Sequence, residues 1–156
     1  MFNWFRSLFK MPEPAGPPQE IKGYTPADQT IARDNITVDG EAWKIEINRE
    51  ASLPMFELPL DSGIENCMLT YRAQMKAENL SGQVYLEMWC RLPGKGEFFS
   101  KGKNNPLSGT TGWAEYEVPF YLKKGQQPDL LKLNVFGKGQ GTIQIKDIKV
   151  LKTTFK

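Results

Sequence analysis

From about residue 30 onward, apolar and polar positions alternate with a period of two, the spacing of half-buried strands. In NITVDGEAWKIEI, Trp43, Ile45 and Ile47 alternate with Lys44, Glu46 and Asn48, and Asp39-Gly40 supplies the positive φ angles of a tight hairpin turn. ASLPMFELPL follows, and Pro54 and Pro59, which cannot donate to a ladder, predict an edge or bulged strand. CMLTYRAQMKAE and QVYLEMWCRL are predicted to pair around a turn at 79–82. With Glu78 facing Gln83, one register puts Ala77/Val84, Met75/Leu86, Ala73/Met88 and Tyr71/Cys90 on one face. Arg72/Trp89, Gln74/Glu87 and Lys76/Tyr85 then share the other. In WAEYEVPFYL, Ala114, Tyr116, Val118, Phe120 and Leu122 alternate with Trp113, Glu115, Glu117 and Tyr121. LLKLNVF and GTIQIKDIKVLK complete the set, and the apolar phase of the last slips between Ile145 and Ile148, which predicts a bulge near Asp147. About nine short strands with no helix between them predict an all-β sandwich over 30–156.

The first eleven residues follow a different period. At 100° per residue, Phe2, Trp4, Phe5, Leu8, Phe9 and Met11 fall on one arc and Asn3, Arg6, Ser7 and Lys10 on the other, an amphipathic helix over 1–11. Arg6 and Lys10 interrupt the apolar run, so the segment is not expected to be a cleaved export signal. Its length of about 16 Å is too short to cross a bilayer. The expectation is an anchor with Trp4 and the Phe residues submerged at a membrane interface and Arg6 and Lys10 on the headgroups, or docked in a partner's groove. The competing expectation is that it packs on its own domain. Residues 12–29 follow, with five prolines between 12 and 26, and are expected to form an extended, semi-rigid linker.

Composition removes whole classes of chemistry. The 156 residues contain no histidine, which excludes Ser-His-Asp and Cys-His catalysis, His-ligated metals and a histidine pH switch. No catalytic role, cofactor or metal is expected. The two cysteines, Cys67 and Cys90, sit four residues out of step in the hairpin register above, about 13 Å along a strand and too far for a disulfide. Free thiols and the lack of an expected export signal lead to the expectation of a site on the cytoplasmic side. The net charge of +2 hides an asymmetry: residues 1–122 carry 12 Lys/Arg against 16 Asp/Glu, and residues 123–156 carry 8 against 2. That lysine excess either protects a sheet edge or faces an acidic partner or anionic lipid.

The order VYLEMWCRL, a Gly-rich loop, W.EYEVPFYL, LLKLNVF and a closing GTIQIKDIKVL resembles the jelly-roll carbohydrate-binding modules and galactose-binding-like domains. Their last strand often reads G-x-[VI]-x-[VI]-D-x-[VI], which Gly141, Ile143, Ile145, Asp147 and, one place early, Ile148 match. The resemblance implies a jelly-roll-type antiparallel β-sandwich that binds sugar through aromatics exposed on a concave face. Tyr85 and Trp89, with Glu87 and Arg91, are the positions matching that role, and the paired register adds Arg72. The competing reading is structural, with Trp89 on Arg72 and Tyr85 on Lys76 as cross-strand cation–aromatic contacts. Leu92 to Gly112 reads as a mobile connection whose Lys95, Phe98, Phe99, Lys101 and Lys103 suit a protein-contact loop. Glu115 and Glu117 share a strand face and read as solvated.

Together these features are expected of a non-catalytic accessory or scaffold subunit that stabilises a membrane protein assembly, such as a respiratory or photosynthetic complex, at its cytoplasmic face. The partners expected are subunits of that assembly and, through the N-terminal helix, lipid; no nucleic acid is expected. The alternative is a carbohydrate-binding module.

Overall fold

The alternating residues sort onto two antiparallel sheets that close on one another. The computed structural model describes residues 12–156 and holds eleven strands there: β1 (Gln19–Tyr24), β2 (Ile36–Asp39), β3 (Ala42–Ile47), β4 (Ala51–Pro59), β5 (Cys67–Glu78), β6 (Leu80–Leu92), β7 (Gly96–Lys101), β8 (Leu107–Gly109), β9 (Ala114–Leu122), β10 (Leu130–Lys138) and β11 (Gly141–Thr154). One sheet runs β2-β3-β11-β5-β9, with β1 also on β11; the other runs β4-β10-β6-β7, with β8 also on β6. Leu69, Tyr71, Ala73 and Met75 of β5 and Ile143, Ile145, Ile148 and Val150 of β11 pack into the same core as Val84, Leu86, Met88 and Cys90 of β6 and Leu131, Leu133 and Val135 of β10. Trp43, Tyr24 and Phe56 form an aromatic group at the margin of this core: Tyr24 stacks on Phe56 at 4.0 Å and Trp43 meets it edge-on at 5.6 Å.

The all-β sandwich and several of its irregularities match the sequence pattern. β4 is an edge strand, and its ladder to β10 shifts between Leu133 and Asn134, where Met55 is the extra residue. The β11 bulge lies at Asp147, φ 53°, between Lys146 and Lys149. It divides β11 in two: Gly141 to Ile145 pair with β3, and Ile148 to Lys152 pair with β1 along the same edge. In the β2–β3 turn only Gly40, φ 64°, takes a positive angle, because Asp39 still belongs to the ladder opposite Ala42.

The predicted pairing of the two longest strands is corrected. β5 and β6 lie in different sheets: β5 pairs with β11 and β9, and β6 with β10 and β7. Between Glu78 and Leu80 there is one residue, Asn79, at φ 52°, and a single left-handed residue turns the chain across the core instead of back alongside itself. Both strands alternate cleanly, so their apolar faces fit a hairpin as well as an arch. The thiols of Cys67 and Cys90 are free, but on facing sheets, so strand register is not what keeps them apart. Burial pushes both thiols up, Cys90 to about 12.

The Pro-rich arm is also corrected. Gln19 to Tyr24 forms β1 on β11, Pro14 bridges Phe155, and Lys156 N donates to Glu13 O at 2.9 Å, so this segment is laced to the C-terminal strand. The connection after β6 is likewise no loop, since it supplies β7 and β8. The helix expected over 1–11, with Phe2, Trp4, Phe5, Arg6, Leu8, Phe9 and Lys10, lies outside the described residues.

Glycines hold the arch against the β10–β11 turn. A Cβ on Gly141 (φ 150°) would stand 2.5 Å from Leu80 Cα, and one on Gly139 (φ 88°) 2.5 Å from Gly82 N. Gly40 (φ 64°) is also at positive φ but has open space around it. Gly40→Ala is therefore expected to cost about 1 kcal/mol through backbone strain alone, and Gly141→Ala about 3 kcal/mol because backbone must also move. Urea unfolding of the two variants checks the ranking; equal losses would show that the close approach carries no energy.

Candidate functional site

Along β6 the even-numbered residues from Val84 to Leu92 face the core, so Tyr85, Glu87, Trp89 and Arg91 face outward from the β4-β10-β6-β7 sheet. Register sets them in rows across that sheet. Ser52, Phe136 and Tyr85 form the first; Pro54, Asn134, Glu87 and Lys101 the second; Glu57, Lys132, Trp89 and Phe99 the third; Pro59, Leu130, Arg91 and Glu97 the fourth. The face thus joins two aromatic pairs through a polar row. Tyr85 stacks on Phe136 at 4.8 Å, Trp89 meets Phe99 at 5.1 Å and 55°, and Lys101 Nζ stands 4.5 Å over the Phe99 ring.

Glu87 organises the polar row from beneath. It is 2% exposed, yet faces away from the core. Its Oε1 accepts from Trp89 Nε1 (3.0 Å), Asn134 Nδ2 (2.9 Å) and Ser52 Oγ (3.0 Å), and Lys101 Nζ is 3.6 Å from Oε2. Burial pushes this carboxyl up, but the bonds from Asn134, Trp89 and Ser52, with the Lys101 charge, outweigh it and hold the group below the usual carboxylate value. The indole N–H can meet the Glu87 carboxylate only in a restricted rotamer, so the bond sets the plane of the Trp89 ring. With both oxygens engaged by the protein's own donors, Glu87 positions the groups around it.

The remaining sequence candidates divide. Tyr85 is 6% exposed beneath its stack with Phe136, so little of its ring reaches solvent. Trp89 is half-buried and Phe99 54% exposed, which makes these two the open apolar surface. Arg91 makes a two-pronged pair with Asp129 at 2.8 and 3.1 Å. Lys132 of β10 reaches Glu97 of β7 at 2.7 Å; because β6 lies between those strands, the pair closes over it between Trp89 and Arg91. Arg72 is not part of this face: it lies on the other sheet, paired with Glu117 at 2.9 Å and Glu115 at 3.5 Å, so those acids are bound rather than merely solvated. The expected Arg72–Trp89 and Lys76–Tyr85 contacts are accordingly absent, and Lys76 instead stands over Trp113 at 5.3 Å. Of the expected contact loop, Phe98, Phe99 and Lys101 are on β7, with Lys95 before it and Lys103 after it, both exposed.

Sequence reasoning missed Ser52, Asn134, Phe136, Lys132, Glu97 and Asp129. The outward phase of LLKLNVF singles out Lys132, Asn134 and Phe136, but nothing local says that this strand lies beside VYLEMWCRL.

No protein-family model matches the chain, and no curated protein sequence matches it. Solved structures do. The CBM22-1 xylan-binding domain of Paenibacillus barcinonensis Xyn10C is similar with a TM-score of 0.55 at 13% identity, covering 91% of this chain and 99% of that one. A CBM4 structure gives 0.54 at 13% identity over 79% of each chain. The structure of infectious bursal disease virus Gt strain gives 0.51 at 11% identity, over 88% of this chain and 33% of that one. The chain therefore shares the β-sandwich fold of these structures, among them carbohydrate-binding modules, the families that the sequence resemblance names. These matches overturn the expectation of an accessory subunit of a membrane assembly: they favour its alternative. No helix among the described residues is long and apolar enough to cross a membrane.

The depressed Glu87 carboxyl has a pH consequence. Its folded value lies below the unfolded one near 4.5, so its contribution to stability is present above pH 4.5 and is lost as pH falls through the folded value. Glu87→Gln is expected to cost about 2 kcal/mol at pH 6, the worth of hydrogen bonds to a charged group, and to flatten the loss of stability as pH falls below 4.5. Urea unfolding across that range, compared with the parent chain, checks both; parallel curves would show that Glu87 titrates as it does when unfolded.

Proposed function

We propose that the chain is a non-catalytic carbohydrate-binding domain whose ligand, a β-linked polysaccharide of the xylan class, lies on the outer face of the β4-β10-β6-β7 sheet. The observation that carries this reading is the partly open Trp89–Phe99 pair, its indole held in plane by a buried carboxylate. A pyranose has an apolar face of C–H groups and a rim of hydroxyls. Rings held rigidly at a surface take the face with little loss of side-chain freedom. Polar groups flank the rings on both sides: Asn134 and Lys101 in one neighbouring row, Arg91 and Glu97 in the other. These suit hydroxyls, which both donate and accept. The similarity to a xylan-binding domain supports the ligand class.

In this reading Trp89 and Phe99 touch sugar, Asn134, Lys101 and Lys132 bond its rim, and Glu87 holds the platform. Isothermal titration of the full chain with β-1,4-linked xylo- and cello-oligosaccharides tests it. Phe99→Ala, which removes an exposed ring and little packing, is expected to weaken binding at least tenfold, about 1.4 kcal/mol, with an unfolding midpoint close to the parent's. No binding by the parent chain to either series, or undiminished binding by Phe99→Ala, overturns the assignment.

A further inference from the structure

The opposite sheet carries a second polar hollow that the Trp89 face does not explain. Its outer surface has one row running Lys44 of β3, Gln144 of β11 and Lys76 of β5. The two lysines stand on either side of the amide, two strand spacings or about 10 Å apart at the backbone. Both are half-buried, and neither makes an ion pair among the described residues. With Thr110, Thr111 and Thr142 they line a cleft of about 310 Å³, at the small end of ligand sites. Glu78 is the one carboxylate on its wall.

The cleft is built before any ligand arrives. Thr111 N donates to Ala77 O (2.9 Å), Ala77 N to Thr111 Oγ1 (3.1 Å), and Asn79 N to Thr110 Oγ1 (3.0 Å), which ties the β8–β9 connection to β5. Each of these hydroxyls accepts a bond from the backbone and keeps its own hydrogen to donate. Gln144 Nε2 donates to Asp39 Oδ2 at 2.7 Å, leaving its carbonyl oxygen as an acceptor. The Trp113 ring draws Lys76 (5.3 Å) and Lys146 (4.3 Å) towards one side of the hollow. Two ammonium groups that make no ion pair, beside neutral donors and an acceptor, fit a ligand that carries both a carboxylate and hydroxyls, although Glu78 on the wall and Asp39 and Glu46 nearby lower the positive potential it meets.

We propose that this cleft is a second binding site, for an acidic sugar unit of the uronate type. The carboxylate sits between Lys44 and Lys76, and the hydroxyls meet Thr110, Thr111 and Gln144. The site lies on the sheet opposite Trp89 and does not depend on that face binding anything.

The test is titration of the full chain with trigalacturonate, followed by the fluorescence of the tryptophans and by calorimetry, with inorganic sulfate and neutral xylotriose as separate arms. Trigalacturonate is expected to bind, at least tenfold more weakly in 300 mM than in 20 mM NaCl. Lys44→Met/Lys76→Met is expected to weaken it at least tenfold, Lys44→Gln by an intermediate factor, and Phe99→Ala not at all. Removing unpaired ammonium groups should leave the unfolding midpoint in place. Absent binding, an unaffected double variant, or loss on Phe99→Ala overturns the proposal, as does sulfate binding as tightly with the same lysine dependence. Failure of xylotriose to bind bears only on the Trp89 face, so the two readings fail separately.

Discussion

The arch at Asn79 decides the architecture. One residue separates the two longest strands, and its left-handed conformation carries the chain from one sheet to the other. The crossing is held by backbone packed on backbone: Gly82, Gly139 and Gly141 let the β10–β11 turn come so close that a Cβ at any of them would overlap main-chain atoms. Ser81 N donates to Gln140 O at 2.8 Å across the same junction. Because β5 and β6 separate here, β6 takes β10 and β7 as neighbours, and every side chain beside Trp89 follows from that choice.

A buried charge then shapes the face that results. A carboxylate taken out of water is destabilising unless donors replace the hydration it loses. Glu87 sits where residues from three other strands of its sheet converge with Trp89 of its own, and Ser52, Trp89 and Asn134 supply those donors with Lys101 adding charge. The arrangement is reciprocal: the charge needs the donors, and the donors are thereby held in place. An apolar residue at 87 would leave the indole N–H and the Asn134 amide to find separate partners. The rigidity of the Trp89 surface therefore comes from electrostatics on the outer face rather than from the core beneath it.

Much of this was legible in the chain, for identifiable reasons. Alternation of Leu86, Met88 and Cys90 against Glu87 and Trp89 reports which side of a strand is buried, because the period of two is a property of the strand itself. Prolines at 54 and 59 and the phase slip around Asp147 are local too, and they mark the edge strand and the bulge that are present. Pairing is not local. The register proposed for residues 67–92 satisfied both faces and was still wrong, since an arch and a hairpin place the same residues inside. Tyr85 and Trp89 were thus found as a pair, whereas Phe136, Asn134 and Ser52 depend on which strands adjoin β6. Glycine and proline content also misled at 12–29 and 92–112, where β1, β7 and β8 are held by ladders to stronger strands rather than by their own propensity.

The two outer faces differ in how they treat charge, and this separates their chemistry. Around Trp89 most ionic groups are paired: Lys132 with Glu97, Arg91 with Asp129, Lys101 with Glu87. In the proposed reading a ligand there meets mostly paired charge, so that aromatic contact governs affinity, which suits a neutral chain. Around Gln144 neither Lys44 nor Lys76 makes an ion pair among the described residues, and the nearby carboxylates Asp39 and Glu46 accept from the neutral Gln144 and Thr142 and so keep their charge, as does Glu78. Surface ion pairs are individually weak, so the matched face gains little stability from its pairing. What the pairing changes is the potential above the sheet, and with it the kind of ligand each face can attract.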